Sequence, residues 1–117
     1  MARVMIVEDE KELHEAYKTI LNKEKHQVIS AYNGQEALEI LHDNDVDLIL
    51  LDMRMPIMNG IEFLENITQK TTAKIIVFSN IDTQKDIDEA YRLGADRYIL
   101  KAWASPQELV KVIRDYV

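Results

Sequence analysis

The 117-residue chain is long enough for one domain with a proper core and short for two. Its composition, 47% apolar and 30% charged, is that of an ordinary globular protein, and the absence of cysteine excludes disulfides and thiolate metal sites. A net charge of −7 argues against a nucleic-acid-binding surface, because such a field repels a phosphate backbone.

No apolar run approaches the roughly 18 residues that a membrane span needs. The longest, Val46–Leu51, is interrupted by Asp47. The N-terminus, Met-Ala-Arg-Val-Met-Ile-Val-Glu-Asp, turns acidic too soon for a secretory h-region, so the expected location is cytoplasmic, without membrane contact.

In chain order, five short β-branched runs alternate with five helical patterns. Arg3–Val7 is the first predicted strand, and Glu10–Asn22 follows as a helix with Leu13, Ala16, Tyr17, Ile20 and Leu21 at helical spacing. Gln27–Ala31 is the second strand. Asn33–Leu41 is a helix with Asn33 as N-cap and Ala37, Leu38 and Leu41 on one face. Asp47–Leu51 reads as a fully buried third strand, since four of its five residues are large and apolar. A loop with Pro56 covers Met53–Asn59, and Gly60 opens a helix through Thr68. Lys74–Phe78 is the fourth strand, Thr83–Leu93 a helix closed by Gly94, and Arg97–Leu100 the fifth strand. Ser105, Pro106 and Glu108 then form a capping box with proline at N1, opening a helix that turns Leu109, Val112, Ile113 and Tyr116 inward.

Strict βα alternation with short connections implies an α/β, doubly wound domain spanning 1–117: a five-stranded parallel sheet with helices on both faces. In such a sheet the strand carboxyl ends share one edge, and ligands bind there. That edge would gather Glu8 and Asp9 after strand one, Asp52 after strand three, Ser79 and Asn80 after strand four, and Lys101 after strand five. Carboxylates about 4–5 Å apart repel by several kcal/mol at an effective dielectric near 20. A hard divalent cation, the lysine or protonation of one acid has to offset this, and Mg²⁺ suits an all-oxygen site.

Each residue also has a plainer reading. Glu8, Asp9, Glu10 and Glu12 would equally suit the positive N-terminus of the first helix. Asp52 would serve as a turn residue, Ser79 as a strand-end hydroxyl and Lys101 as a solvated cation. The coincidence of all of them at four strand ends favours a common site.

Four stretches carry a family resemblance: Met5-Ile-Val-Glu-Asp-Glu10, Asp47-Leu-Ile-Leu-Leu-Asp-Met-Arg-Met-Pro-Ile-Met-Asn-Gly60, Ile75-Ile-Val-Phe-Ser79 and Gly94-Ala-Asp-Arg-Tyr-Ile-Leu-Lys101. In this order they resemble the receiver domains of two-component response regulators over essentially the whole chain. The resemblance implies the strand order 2-1-3-4-5. It also implies that Asp52 accepts a phosphoryl group from a sensor histidine kinase or a histidine phosphotransfer protein, with Mg²⁺ as cofactor. Asp9, Asp52 and the backbone carbonyl of Arg54 would be the direct protein ligands of that ion, and Glu8 would act through water. Lys101 would pair with Asp52 at rest and with the phosphoryl oxygens afterwards. Ser79 resembles the switch hydroxyl and Tyr98 the aromatic that changes rotamer. The readout surface would be the fourth helix, fifth strand and fifth helix, with Tyr91, Tyr98 and Trp103, facing a downstream effector protein or domain. Monomer and phosphorylation-linked dimer both fit. Turnover of an outside substrate is not expected.

Three positions depart from the family pattern. Lys101 is followed by Ala102 where proline is usual, which leaves the Lys101–Ala102 bond open between cis and trans. Asn80 replaces a very small residue, and its amide either obstructs donor access or offers a hydrogen bond. Arg54 and Ile81 are expected to screen attacking water, so that the phosphorylated form decays slowly. His14, His26 and His42 share no motif and read as structural.

The competing reading is a phosphorylation-independent, receiver-like interaction module, which Asn80 and Ala102 would favour and which Mg²⁺ binding would discriminate. A Mg²⁺-dependent phosphatase needs a second acid two residues after its nucleophile, where Arg54 stands. Gly34, Gly60 and Gly94 form neither G-x-G-x-x-G nor a P-loop.

Overall fold

A computed structural model of the protein describes residues 2–67 and 71–117, apart from the side chain of Trp103. The expected reach of the third helix to Thr68 and the expected role of Trp103 as a partner contact lie outside the described residues. Five strands, β1 (Arg3–Val7), β2 (Gln27–Ala31), β3 (Leu48–Leu51), β4 (Lys74–Ser79) and β5 (Arg97–Leu100), alternate with helices α1 (Lys11–Lys23), α2 (Gly34–Asp43), α3 (Gly60–Ile67), α4 (Gln84–Arg92) and α5 (Pro106–Tyr116). All strand pairs are parallel, in the order β2-β1-β3-β4-β5.

The two faces of the sheet follow from the period of two along each strand. Met5, Val7, Ile49, Leu51, Ile75 and Val77 point to one side, where they meet Ala37 of α2, Phe63, Leu64 and Ile67 of α3, and Ala90 of α4. Val4, Ile6, Leu48, Leu50, Ile76 and Phe78 point to the other, against Tyr17 and Leu21 of α1 and Leu109, Val112 and Ile113 of α5. The three central strands are thus apolar on both faces. Each fully buried side chain of this size contributes about 1.5–3 kcal/mol.

Helix ends obey local chemistry. The Asn33 side chain accepts the Glu36 N–H, and the Ser105 side chain accepts the Glu108 N–H behind Pro106. Gly94 sits at φ 111°, where it closes α4 with Gly94 N–H to Tyr91 C=O and Ala95 N–H to Ala90 C=O bonds.

Helix α1 departs from its expected facing. Ala16 is exposed, while His14, Tyr17 and Leu21 are the buried residues. An imidazole can take an inward position when a ring nitrogen is hydrogen-bonded, and His14 Nδ1 lies 2.9 Å from the Glu8 carbonyl oxygen. After β5 the chain makes a 3₁₀ turn over Lys101–Trp103, and no cis peptide bond occurs among the described residues. Lys101–Ala102 is therefore trans.

Candidate functional site

Strand register decides which residues meet at the carboxyl edge. Val7 pairs with Leu51, and the Asp52 N–H donates to the Val7 carbonyl at 3.0 Å, so Glu8 and Asp52 leave adjacent strands side by side. Leu51 pairs with Val77 and Ser79 with Leu100, which puts Ser79 and Lys101 on the far flank of Asp52. A pocket of about 370 Å³ opens there, with Asp9, Asp52, Ser79 and Lys101 in its wall and Arg54 and Asn80 exposed at its rim. Carboxylate oxygens of Glu8, Asp9 and Asp52 lie within 4.8 Å of one another.

Asp52 is 8% exposed, so it is accessible through the pocket alone. The loop after it is tightly built. Gly60 N–H returns to the Met53 carbonyl at 3.0 Å, and a Cβ on Gly60 would stand 2.7 Å from Met53 Cα and 2.9 Å from the Asp52 carbonyl oxygen. Glycine is required at this close approach.

Lys101 has two acidic neighbours. Its Nζ lies 2.6 Å from Glu8 Oε1 and 3.7 Å from Asp52 Oδ2, so its short charge-assisted bond goes to Glu8. The expected resting pair with Asp52 is the looser of the two. Burial pushes the Glu8 carboxyl up to about 7; Lys101 opposes that rise and the Asp52 charge adds to it.

Ser79 is buried at the end of β4, and its Oγ lies 3.3 Å from the Ile81 N–H. The Tyr98 hydroxyl donates to the Ile81 carbonyl at 2.7 Å, so β5 and the loop after β4 are joined through this phenol. Burial, then the Asp86, Asp52 and Asp82 charges, raise the Tyr98 phenol above its ordinary value against the pull of Ser79, which keeps it a donor. Tyr91 stands on the face expected to be read out. It is 44% exposed, and its hydroxyl accepts the Tyr98 N–H at 2.9 Å, capping the open edge of β5.

With this geometry in place, comparison with known proteins is decisive. The family model "Response regulator receiver domain" matches residues 4–114. The chain belongs to the response regulator receiver family. Among curated relatives, the nitrate/nitrite response regulator protein NarL of Escherichia coli is 33% identical over 115 residues, covering 96% of this chain and 53% of its own length. The transcriptional regulatory protein CpxR of Escherichia coli is 36% identical over 114 residues, covering 97% and 48%. The chain thus spans about half the length of the curated relatives it matches. Among solved structures, a CheY-like receiver domain protein from Methanospirillum hungatei superposes with a TM-score of 0.93 at 28% identity, over 98% of this chain and 92% of that one. Response regulator TrrA from Thermotoga maritima, solved in complex with Mg(2+)-BeF, gives 0.89 at 30% identity over 100% of both chains.

In this receiver the residues singled out from sequence meet at one edge. Glu8, Asp9, Asp52, Ser79 and Lys101 converge; Arg54 is exposed beside them; Tyr98 reaches them through Ile81. His14, expected to be structural, is fully buried against the Glu8 carbonyl, a contact that no motif announces. Its signal was its place in the His14, Tyr17, Leu21 stripe, which a scan for apolar residues passes over. The Ile57 turn was missed too, since Pro56-Ile57 carries no turn residue at the position of positive φ.

Proposed function

We propose that this receiver is a phosphorylation-driven signalling switch, folded as one domain over residues 1–117, with Asp52 as the acceptor. The observation that carries this reading is the convergence of three carboxylates within 4.8 Å on a pocket that also presents Lys101. Where both members of a pair are ionised, like charges at that spacing repel by about 3–4 kcal/mol at an effective dielectric near 20, and one lysine offsets only part of it. The donor set is hard oxygen throughout, which fits Mg²⁺. Asp9, Asp52 and the Arg54 carbonyl would hold the ion directly and Glu8 through water. When bound, Mg²⁺ supplies charge neutralisation on the phosphoryl oxygens.

The chain's own residues account for the rest. An Asp52 carboxylate oxygen attacks the phosphorus of a phosphohistidine; the P–O bond forms, the P–N bond breaks, and the imidazole leaves with the electron pair. Lys101 pairs with the transferred oxygens, and the Ser79 hydroxyl donates to one of them. Drawing Ser79 inward pulls on the Ile81 segment to which Tyr98 is bonded, and so reaches the face formed by α4, β5 and α5. The donor is a sensor histidine kinase or a phosphotransfer protein, the recipient a downstream effector protein or domain. No outside substrate is turned over. Among the described residues no helix is long and apolar enough to cross a membrane, and a cytoplasmic location fits a kinase partner of this kind.

Intact mass after incubation with Mg²⁺ and acetyl phosphate tests the reading. The wild type gains one phosphoryl group only with Mg²⁺, and Asp52→Asn gains none. Failure to bind Mg²⁺ would leave phosphorylation-independent docking as the better account.

A further inference from the structure

Asp9 is the least buried of the three clustered acids, and it stands between two elements. The sheet holds the chain as far as Glu8, whose N–H donates to the Ala31 carbonyl at 3.1 Å, and α1 begins only at Lys11. Glu10, the N-cap of that helix, makes no side-chain capping bond. The Glu10 N–H to Glu8 Oε2 bond across Asp9 is at the long end, 3.2 Å. A direct Mg²⁺ ligand needs a firmer hold, because Mg²⁺ demands near-ideal octahedral geometry.

His14 supplies that hold from one turn along α1. Its ring Nδ1 lies 2.9 Å from the Glu8 carbonyl oxygen, and its own N–H donates to the Glu10 carbonyl at 2.9 Å. A single residue thus fastens the chain on both sides of Asp9. A carbonyl only accepts, which places the ring proton on Nδ1 and leaves Nε2 a bare acceptor. That Nε2 is buried without a partner among the described residues. Packing alone would not choose such a ring. The imidazole stacks on Tyr32 with centroids 4.3 Å apart and planes 22° from parallel, and phenylalanine would stack there without orphaning a polar atom. What histidine adds is the Nδ1–H bond to Glu8.

We infer that His14 is a positioning residue for Mg²⁺: through the Glu8 carbonyl it fixes the backbone from which Asp9 reaches the ion. The inference rests on the Mg²⁺ site of the proposed function. It adds a residue that touches neither the ion nor the phosphoryl group.

Three variants separate the donor from the bulk of the ring. His14→Phe keeps the stack and loses the donor, and His14→Leu loses both. His14→Asn loses the stack but sets an amide N–H near the place of Nδ1. Each full chain is titrated with MgCl₂ alone, followed by the backbone NMR signals of Asp9 and Asp52, and its urea midpoint is measured alongside. His14→Phe and His14→Leu are expected to weaken Mg²⁺ binding about tenfold, as loss of a partner that orients a metal ligand does, and His14→Asn at most about threefold. The urea midpoints run in another order, with His14→Phe near wild type and His14→Asn below it, because stability follows the filled volume. Nitrogen NMR of the wild-type imidazole needs no variant: the ring proton is expected on Nδ1.

Wild-type affinity in His14→Phe and His14→Leu would overturn the inference and leave the Mg²⁺ site intact. Affinities that merely follow the urea midpoints would do the same, making His14 a packing residue, as would a ring proton on Nε2 in place of Nδ1. Absence of Mg²⁺ binding by the wild type would overturn the site itself and this inference with it.

Discussion

Ile57 lies on the loop that follows Asp52 with a backbone φ of 69°, a region that β-branched residues rarely enter. The Met58 N–H bonds across it to the Pro56 carbonyl at 2.7 Å, closing a γ-turn, and the Gly34 N–H holds the Met58 carbonyl at 3.2 Å. The side chain is 79% exposed, so packing does not repay the strain. Ile57→Gly is expected to raise stability by about 0.5–1 kcal/mol: relief of a left-handed conformation, less the added freedom of glycine in the unfolded chain. Urea denaturation of the two proteins measures this, and an unchanged or lower midpoint would show that the turn is not strained.

The same conflict recurs at the scale of an element. Helix α1 ends with Lys25 N–H to Asn22 C=O and His26 N–H to Leu21 C=O bonds, the pattern that Gly94 completes after α4. Here the left-handed position, at φ 65°, is filled by Lys25. Lys25→Gly should therefore stabilise the fold by roughly 0.5–1 kcal/mol without touching the carboxyl edge. Thermal unfolding reads the gain, and Mg²⁺ affinity should stay at the wild-type value. Helix α2 needs no such correction, because its C-cap, Asn44, keeps an extended backbone at φ −137°.

Across the whole molecule, pH acts on two buried groups in opposite directions. His26 Nδ1 accepts the Ala2 N–H at 3.1 Å, a role that requires the neutral ring. Burial, then the positive N-terminus, with Arg114 adding and Glu24 opposing, hold His26 below its ordinary value of 6.5. A depressed folded value means that the unfolded chain takes the proton first. The stability from neutral His26 is thus present above pH 6.5 and is lost as pH falls through the folded value. Glu8, raised from 4.5 to about 7, runs the other way, since the folded state takes up its proton first as pH falls. Denaturation of wild type and His26→Gln at several pH values separates them. The advantage of wild type over His26→Gln should shrink below pH 6.5, and a difference independent of pH would remove His26 from the account.

The βα alternation, the fully buried third strand and the caps at Asn33 and Ser105 were legible in the sequence, because each depends on spacing within a dozen residues. Strand ends also announced the acids, hydroxyl and lysine of the carboxyl edge. The pairing inside that edge was not legible. Lys101 is 93 positions from Glu8, and whether it reaches Glu8 or Asp52 depends on where the turn after β5 sets its ammonium, to within about 1 Å. Tyr91 and His14 teach the same lesson. A helical pattern says which residues share a face; the partners that face meets come from other elements. The residue types and their order along the chain therefore determined the fold and the membership of the site, and tertiary packing alone decided which of two carboxylates holds the lysine, because that choice depends on distance across the sheet.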